Sequence, residues 1–136
     1  MAFMLVTPVS MSNPAAGKPR SHIAAATLLA QIEAGTAPTI LDVRSRREFV
    51  AGHVPGALHL PFWTLLTRLS EIPSSPADPI VVYCGHGPRA YMAGAILRAS
   101  GFRRVMYLEG HMLKWRRARL RLDVGSSSRT SRHPQC

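Results

Sequence analysis

Ile80-Val81-Val82-Tyr83-Cys84-Gly85-His86-Gly87-Pro88-Arg89 is a run of sheet-forming residues that stops abruptly at a cysteine. Consecutive apolar residues of this type predict a strand covered on both faces rather than one with a wet side. Gly85, Gly87 and Pro88 cannot prolong it, and the glycines allow backbone N–H groups to turn inward around one point. Ala90-Tyr91-Met92-Ala93-Gly94-Ala95-Ile96-Leu97 then has helical length, with Gly101 as its stop. Cys84 is therefore expected at the carboxyl end of a central strand, facing a helix N-terminus, where open α/β sheets bind their ligands.

The consequence concerns sulfur. A thiol reacts as the thiolate, and inward N–H groups together with a helix dipole stabilise negative charge. Arg89 closes the loop with a fixed cation whose donors suit an oxyanion. Cys84 should ionise readily and hold an anionic substrate or a charged sulfur adduct. A buried structural cysteine is the competing reading, since free cysteine is among the most buried residue types. The glycines, proline and arginine that follow weigh against it.

Around this stretch lie 136 residues, enough for one domain with its own core. Two cysteines, Cys84 and Cys136, are too few for a disulfide scaffold, and a reducing, cytoplasmic compartment would keep Cys84 available. No apolar run approaches the roughly 20 residues that span a bilayer, so no membrane partner is expected. Met1 to Ala16 is mildly apolar but lacks the charged start of a signal peptide. The net charge is +10, and Lys114, Arg116, Arg117, Arg119, Arg121, Arg129 and Arg132 carry much of the excess. No aromatic interleaving or nucleic-acid motif accompanies it, so the charge reads as a solvated helix face and tail that attract small anions, not as a nucleic-acid surface.

Residues 1–20, with Pro8, Pro14, Gly17 and Pro19, read as a flexible lead-in. An amphipathic helix is predicted over Ala24–Ala34, ended by Gly35, with Leu28, Leu29 and Ile32 on one face. Thr39–Val43 follows as a strand, then a short helix capped by Ser45 with Glu48 at the capping-box position. Gly52–Gly56 is a loop and Ala57–Leu60 a brief strand. Phe62–Leu69 reads as a helix with Leu65, Leu66 and Leu69 inward, and Pro73–Pro79 as a connector. Val105–Leu108 is the last strand, followed by a loop at Glu109-Gly110-His111 and a basic helix through Trp115. A folded unit over 21–122 and a basic Ser/Arg-rich disordered tail over 123–136 complete the expected organisation. Strands alternating with helices predict a parallel sheet covered on both faces, its strand ends on a common rim.

Two segments together carry a specific resemblance. One is Leu41-Asp42-Val43-Arg44-Ser45-Arg46-Arg47-Glu48-Phe49, continuing as Gly52-His53-Val54-Pro55-Gly56-Ala57 and Leu60-Pro61. The other is Val81-Val82-Tyr83-Cys84 with Arg89, then Gly101-Phe102, Val105, Leu108-Glu109-Gly110 and Met112 through Trp115. In this order, over roughly residues 21 to 118, the chain resembles the rhodanese superfamily. The resemblance implies an α/β fold with a central parallel five-stranded sheet flanked by helices, and a sulfurtransferase cycling through a persulfide. Cys84 would be the sulfur acceptor, and Gly85, His86, Gly87, Pro88 and Arg89 the substrate-binding loop. Four residues between cysteine and arginine resemble the sulfurtransferases; the related cell-cycle phosphatases carry one more.

Two departures bear on substrate preference. A basic residue often follows the cysteine in this family, whereas Gly85 is neutral and His86 comes next, either as part-time positive charge or as a plain loop residue. A common Gly-Gly before the last helix is Gly110-His111 here. Asp42, Arg44 and Glu48 are expected to support the structure rather than catalyse: Asp42 fixing backbone, and Arg44 pairing with Glu48 four residues on. Phe62 and Trp63 are candidates for pocket wall or core. His53 and His59 lack ligand spacing, so neither a metal nor another cofactor is expected.

The expected chemistry is transfer of sulfane sulfur from a small anionic donor such as thiosulfate to cyanide, a thiol or a protein acceptor. A phosphatase or arsenate reductase using the same cysteine is one alternative. A rhodanese-like module that carries or senses sulfur with little turnover is the other.

Overall fold

The structure, a computed structural model, describes residues 21–125. The expected lead-in over 1–20, most of the expected tail and Cys136 lie outside those residues. The strands are β1 (His22–Ile23), β2 (Thr39–Asp42), β3 (Leu58–His59), β4 (Pro79–Tyr83) and β5 (Arg104–Leu108). All pair in parallel, in the order β1-β5-β4-β2-β3, so β4 is the central strand. Its register against β2 sets Leu41 beside Val82 and Asp42 beside Tyr83.

Alternation along β4 explains why a continuous apolar run was needed. Ile80, Val82 and Cys84 face one side, with Leu41, Val43, Leu65, Ala90, Ala93 and Leu97. Val81 and Tyr83 face the other, with Leu28, Phe49, Met112 and Trp115. Successive strand residues point to opposite faces, so a strand with helices on both sides has no polar position to spare. The first face is covered by helix α3 (Pro88–Ala99) and a 3-10 segment (Phe62–Thr67), the second by α1 (Ala25–Ala34), α2 (Arg46–Ala51) and α4 (His111–Arg117). Among the described residues no helix is long and apolar enough to cross a membrane.

Local signals hold well. Gly35 caps α1 in the left-handed conformation, and Ser45 with Glu48 closes the capping box of α2. The helix expected over Phe62–Leu69 is instead two 3-10 turns, Phe62–Thr67 and Leu69–Glu71. That overturns one inward placement: Leu65 is fully buried, but Leu66 is 69% exposed. With three residues per turn, positions 62, 65 and 68 share a face, and 66 rotates to solvent. At the other end the chain returns to the body. Asp123 and His53 exchange backbone hydrogen bonds at 2.9 Å each way, and Gly125 N–H donates to the Val50 carbonyl, so ordered pairing runs past the expected boundary at 122.

Candidate active site

Cys84 is the first residue beyond β4, and its side chain is fully buried on the α3 face of the sheet. Gly87 donates its backbone N–H to Cys84 Sγ at 3.0 Å. Gly87 is also the N-cap of α3, with φ of 140°, and Pro88 follows as a first-turn proline. That φ lies where side chains are strained, and a Cβ there would stand 3.3 Å from the Tyr91 ring. Glycine at 87 thus lets one amide turn back onto the sulfur while the next residues begin a helix of 12 residues. The donor that meets Sγ is thus the amide at the N-terminal end of α3.

Helix α4 holds the loop from the other side. Met112 N–H donates to the Cys84 carbonyl and Leu113 N–H to the Gly85 carbonyl, both at 3.0 Å. Each carbonyl belongs to a planar trans peptide whose N–H lies on the opposite edge. Drawing the carbonyls of Cys84 and Gly85 toward α4 therefore turns the N–H groups of Gly85 and His86 away from it. Cys84's own N–H donates to His111 Nδ1 at 3.3 Å. Burial, with the neighbouring charges of His22 and His86, holds the His111 pKa below its ordinary 6.5.

Arg89, in the first turn of α3, is bound at both ends of its fork. Nη1 donates to Glu48 Oε1 at 2.7 Å and Nη2 to Oε2 at 3.0 Å. The pair joins the cysteine loop to α2, whose capping box uses the same carboxylate. Hydrogen bonding from Arg89, aided by Ser45 and opposed by partial burial, lowers the Glu48 pKa to about 2. The expected Arg44–Glu48 pair is therefore corrected. Arg44 precedes the N-cap, so the spacing rule for helix interiors does not reach it, and it turns to Asp42 at 2.7 Å.

Asp42 and Arg44 form a buried network with Tyr83, which the sequence marks only as a strand residue. Tyr83 Oη donates to Asp42 Oδ2 at 2.7 Å and accepts the Val54 N–H at 2.9 Å. Arg44 Nη2 also donates to the Gly52 carbonyl at 2.7 Å, so the network pins the 52–54 loop to the end of β4. Burial, then the Asp42 charge, pushes the Tyr83 pKa well above 10. Burial works against the Arg44 charge, but Asp42 outweighs it and the guanidinium pKa is raised.

The structure thus gathers Cys84, Gly85, Gly87, Pro88, Arg89 and Glu48 in one place, with Asp42 and Arg44 one strand away. His86 is exposed on the loop. Phe62 packs against the core, while Trp63 is 62% exposed. Among the described residues, no group of three or more His, Cys, Asp or Glu is placed to hold a metal ion. In sequence His111 stands out only as a break in a glycine pair; its contact with the cysteine backbone spans 27 positions, which periodicity cannot register.

Residues 24–118 match the family described as Rhodanese-like domain. An HTH-type transcriptional regulator of Mycobacterium tuberculosis is 39% identical over 81% of this chain and 48% of its own length. A sulfurtransferase of Allochromatium vinosum is 39% identical over 57% of this chain and 71% of its own. The crystal structure of a rhodanese-related protein from Thermoplasma volcanium superposes with a TM-score of 0.65 at 27% identity, covering 77% of this chain and 98% of that one. The chain spans about half the length of the Mycobacterium regulator.

Proposed function

The chain belongs to the rhodanese-like family, and on that premise we propose that it transfers sulfane sulfur through a persulfide on Cys84. The observation that carries this reading is the Gly87 N–H, 3.0 Å from Sγ at the mouth of α3. In the first step the Cys84 thiolate attacks the outer sulfur of thiosulfate. A new S–S bond forms, the old one breaks, and sulfite departs with the electron pair. In the second, cyanide or a thiolate attacks the outer sulfur of the persulfide, leaving as thiocyanate or a new persulfide and returning Cys84 as thiolate. The amides of residues 85–87 stabilise the anion in both states, and Arg89, held by Glu48, offers its remaining N–H groups to the incoming donor. Once the thiol is ionised, no separate general base is required. A loop with four residues between Cys84 and Arg89 suits a sulfane sulfur better than a phosphoryl group with its oxygens.

Thiosulfate should add one sulfur atom to the intact protein by mass spectrometry, and Cys84→Ala should take up none. Equal uptake by Cys84→Ala sinks the assignment. Aryl phosphate hydrolysis faster than sulfur turnover would instead point to a phosphatase.

A second reading has its own observation. The similar regulator is about twice as long as the matched segment, and Sγ here is fully buried at rest. Both suit a module that accepts sulfur and passes the signal or the atom to a partner. Stable persulfidation by donors with turnover that stays slow for every acceptor would favour it.

A further inference from the structure

His111 Nε2 is buried without a hydrogen-bond partner, one of two such side-chain atoms among the described residues. The residue is 4% exposed, so this is not a group resting in water. Its other ring nitrogen accepts the Cys84 N–H, which requires a lone pair on Nδ1 and places the ring proton on Nε2. An N–H donor is thus buried with nothing to receive it, which is costly unless a partner arrives. Nε2 lies 3.8 Å from where a Cβ on Gly87 would stand, and Gly87 is the residue whose N–H meets Sγ. The backbone is unusual as well. His111 has φ of 52°, in the left-handed region, directly after Gly110 at 70°. Few non-glycine residues adopt that conformation, His111 and Arg119 being the two among the described residues, and such backbone gathers at functional positions. Tyr91 backs the ring edge-on, with centroids 5.7 Å apart.

We propose that His111 is a side-chain donor of the sulfur cradle, its Nε2–H waiting beside Gly87 for the charged outer sulfur of the Cys84 persulfide. This rests on the sulfur-transfer reading and deepens it: the ligand is the persulfide anion itself. Nothing need be broken or protonated, because the neutral ring donates one hydrogen bond once sulfur is loaded. The free protein leaves the donor unpaired, so its desolvation cost is recovered only in the loaded state. His111 then adds to k for loading and protects the persulfide from premature loss. The ring nitrogen facing the Cys84 amide fixes which tautomer is present, so the two contacts act as one device.

The test compares wild type with three variants. His111→Asn tolerates the left-handed backbone and keeps an acceptor for the Cys84 N–H but lacks a donor at the Nε2 position. His111→Gly relieves the backbone strain outright. His111→Gln places an amide donor near Nε2. Thiosulfate loading is followed by intact mass, folding by thermal melting, and the wild-type ring by histidine-labelled nitrogen NMR. Melting of the Asn variant should stay close to that of wild type, that of the Gly variant should fall because the Cys84 N–H loses its acceptor, and loading in both should slow about tenfold, the loss of a bond to a charged group. Gln should recover part of that loss. In the wild type, the His111 Nε2 resonance should shift on loading. Loading at the wild-type rate in His111→Asn and His111→Gly, or a resonance unmoved by sulfur, overturns the proposal while leaving sulfur transfer intact. A wild type that takes up no sulfur overturns both.

Discussion

Gly87 shows how much one residue without a side chain supports here. Its φ of 140° and its 3.3 Å clearance from the Tyr91 ring leave no unstrained place for a methyl group. Gly87→Ala should slow sulfur loading by about tenfold or more and lower stability by ~1–2 kcal/mol, read from mass and denaturation. Unchanged loading would mean that the Gly87 amide is not part of the cradle. Glu48 is the residue with a pH signature. Its carboxyl titrates at about 2 in the fold against an ordinary 4.5, so the folded state binds its proton less readily. Stability from the Arg89 pair is then complete above 4.5 and is lost as pH falls from there toward 2. The pair is partly exposed, so solvent screening limits it to ~1 kcal/mol. Glu48→Gln should flatten the stability slope within that window, and an identical slope would contradict the pairing. Cys84 and its loop could be read directly from glycine and proline chemistry. Glu48's true partner could not, because Arg89 lies 41 positions away.

At the level of elements, the loop after Cys84 is strung between two helices and one ion pair. The start of α3 presents the Gly87 amide, and the start of α4 takes the Cys84 and Gly85 carbonyls. Seating α3 against β5 depends on Gly94, where a Cβ would overlap the Tyr107 hydroxyl; Arg98 donates to that same hydroxyl at 2.8 Å. Gly94→Ala must therefore push α3 outward or displace Tyr107, at ~1–3 kcal/mol by chemical denaturation. A melting curve matching wild type would show that the helix sits less closely. Behind the loop, Asp42 is fully buried with Arg44, and Asp42→Asn would strand a buried guanidinium. We expect a loss of about 3–5 kcal/mol, larger than any single change in the cradle. The segments that sequence placed best, α1 and α2, carry local signals: Gly35 stops α1, and the Ser45–Glu48 capping box starts α2. The turns after Pro61 misled because apolar spacing alone does not separate 3.0 from 3.6 residues per turn once a segment is this short.

Across the whole molecule, one polarity dominates. The chain carries +10, and its strands all run parallel toward the rim where Cys84 lies. A positive field raises the encounter rate of a dianion such as thiosulfate and fades as salt shortens its reach. The second-order loading rate should drop severalfold between about 20 mM and about 500 mM salt, while the same change leaves an uncharged sulfur donor unaffected. Equal salt dependence for both would remove electrostatic attraction from the account.

The parallel sheet and the place of Cys84 at a strand's carboxyl end followed from local residue types, whereas the order of the strands and the two-residue β1 at the edge did not. Strand, turn and cap each depend on residues a few positions apart, and a β4 covered on both faces announces itself as unbroken hydrocarbon. Tertiary structure alone decided the partners. Arg89 meets Glu48, Arg44 turns to Asp42, Tyr83 holds Val54, and His111 comes to rest against the Cys84 amide. Charged and polar side chains pair by distance in space, within a few ångströms. That distance exists only after the sheet has brought remote strand ends to one rim.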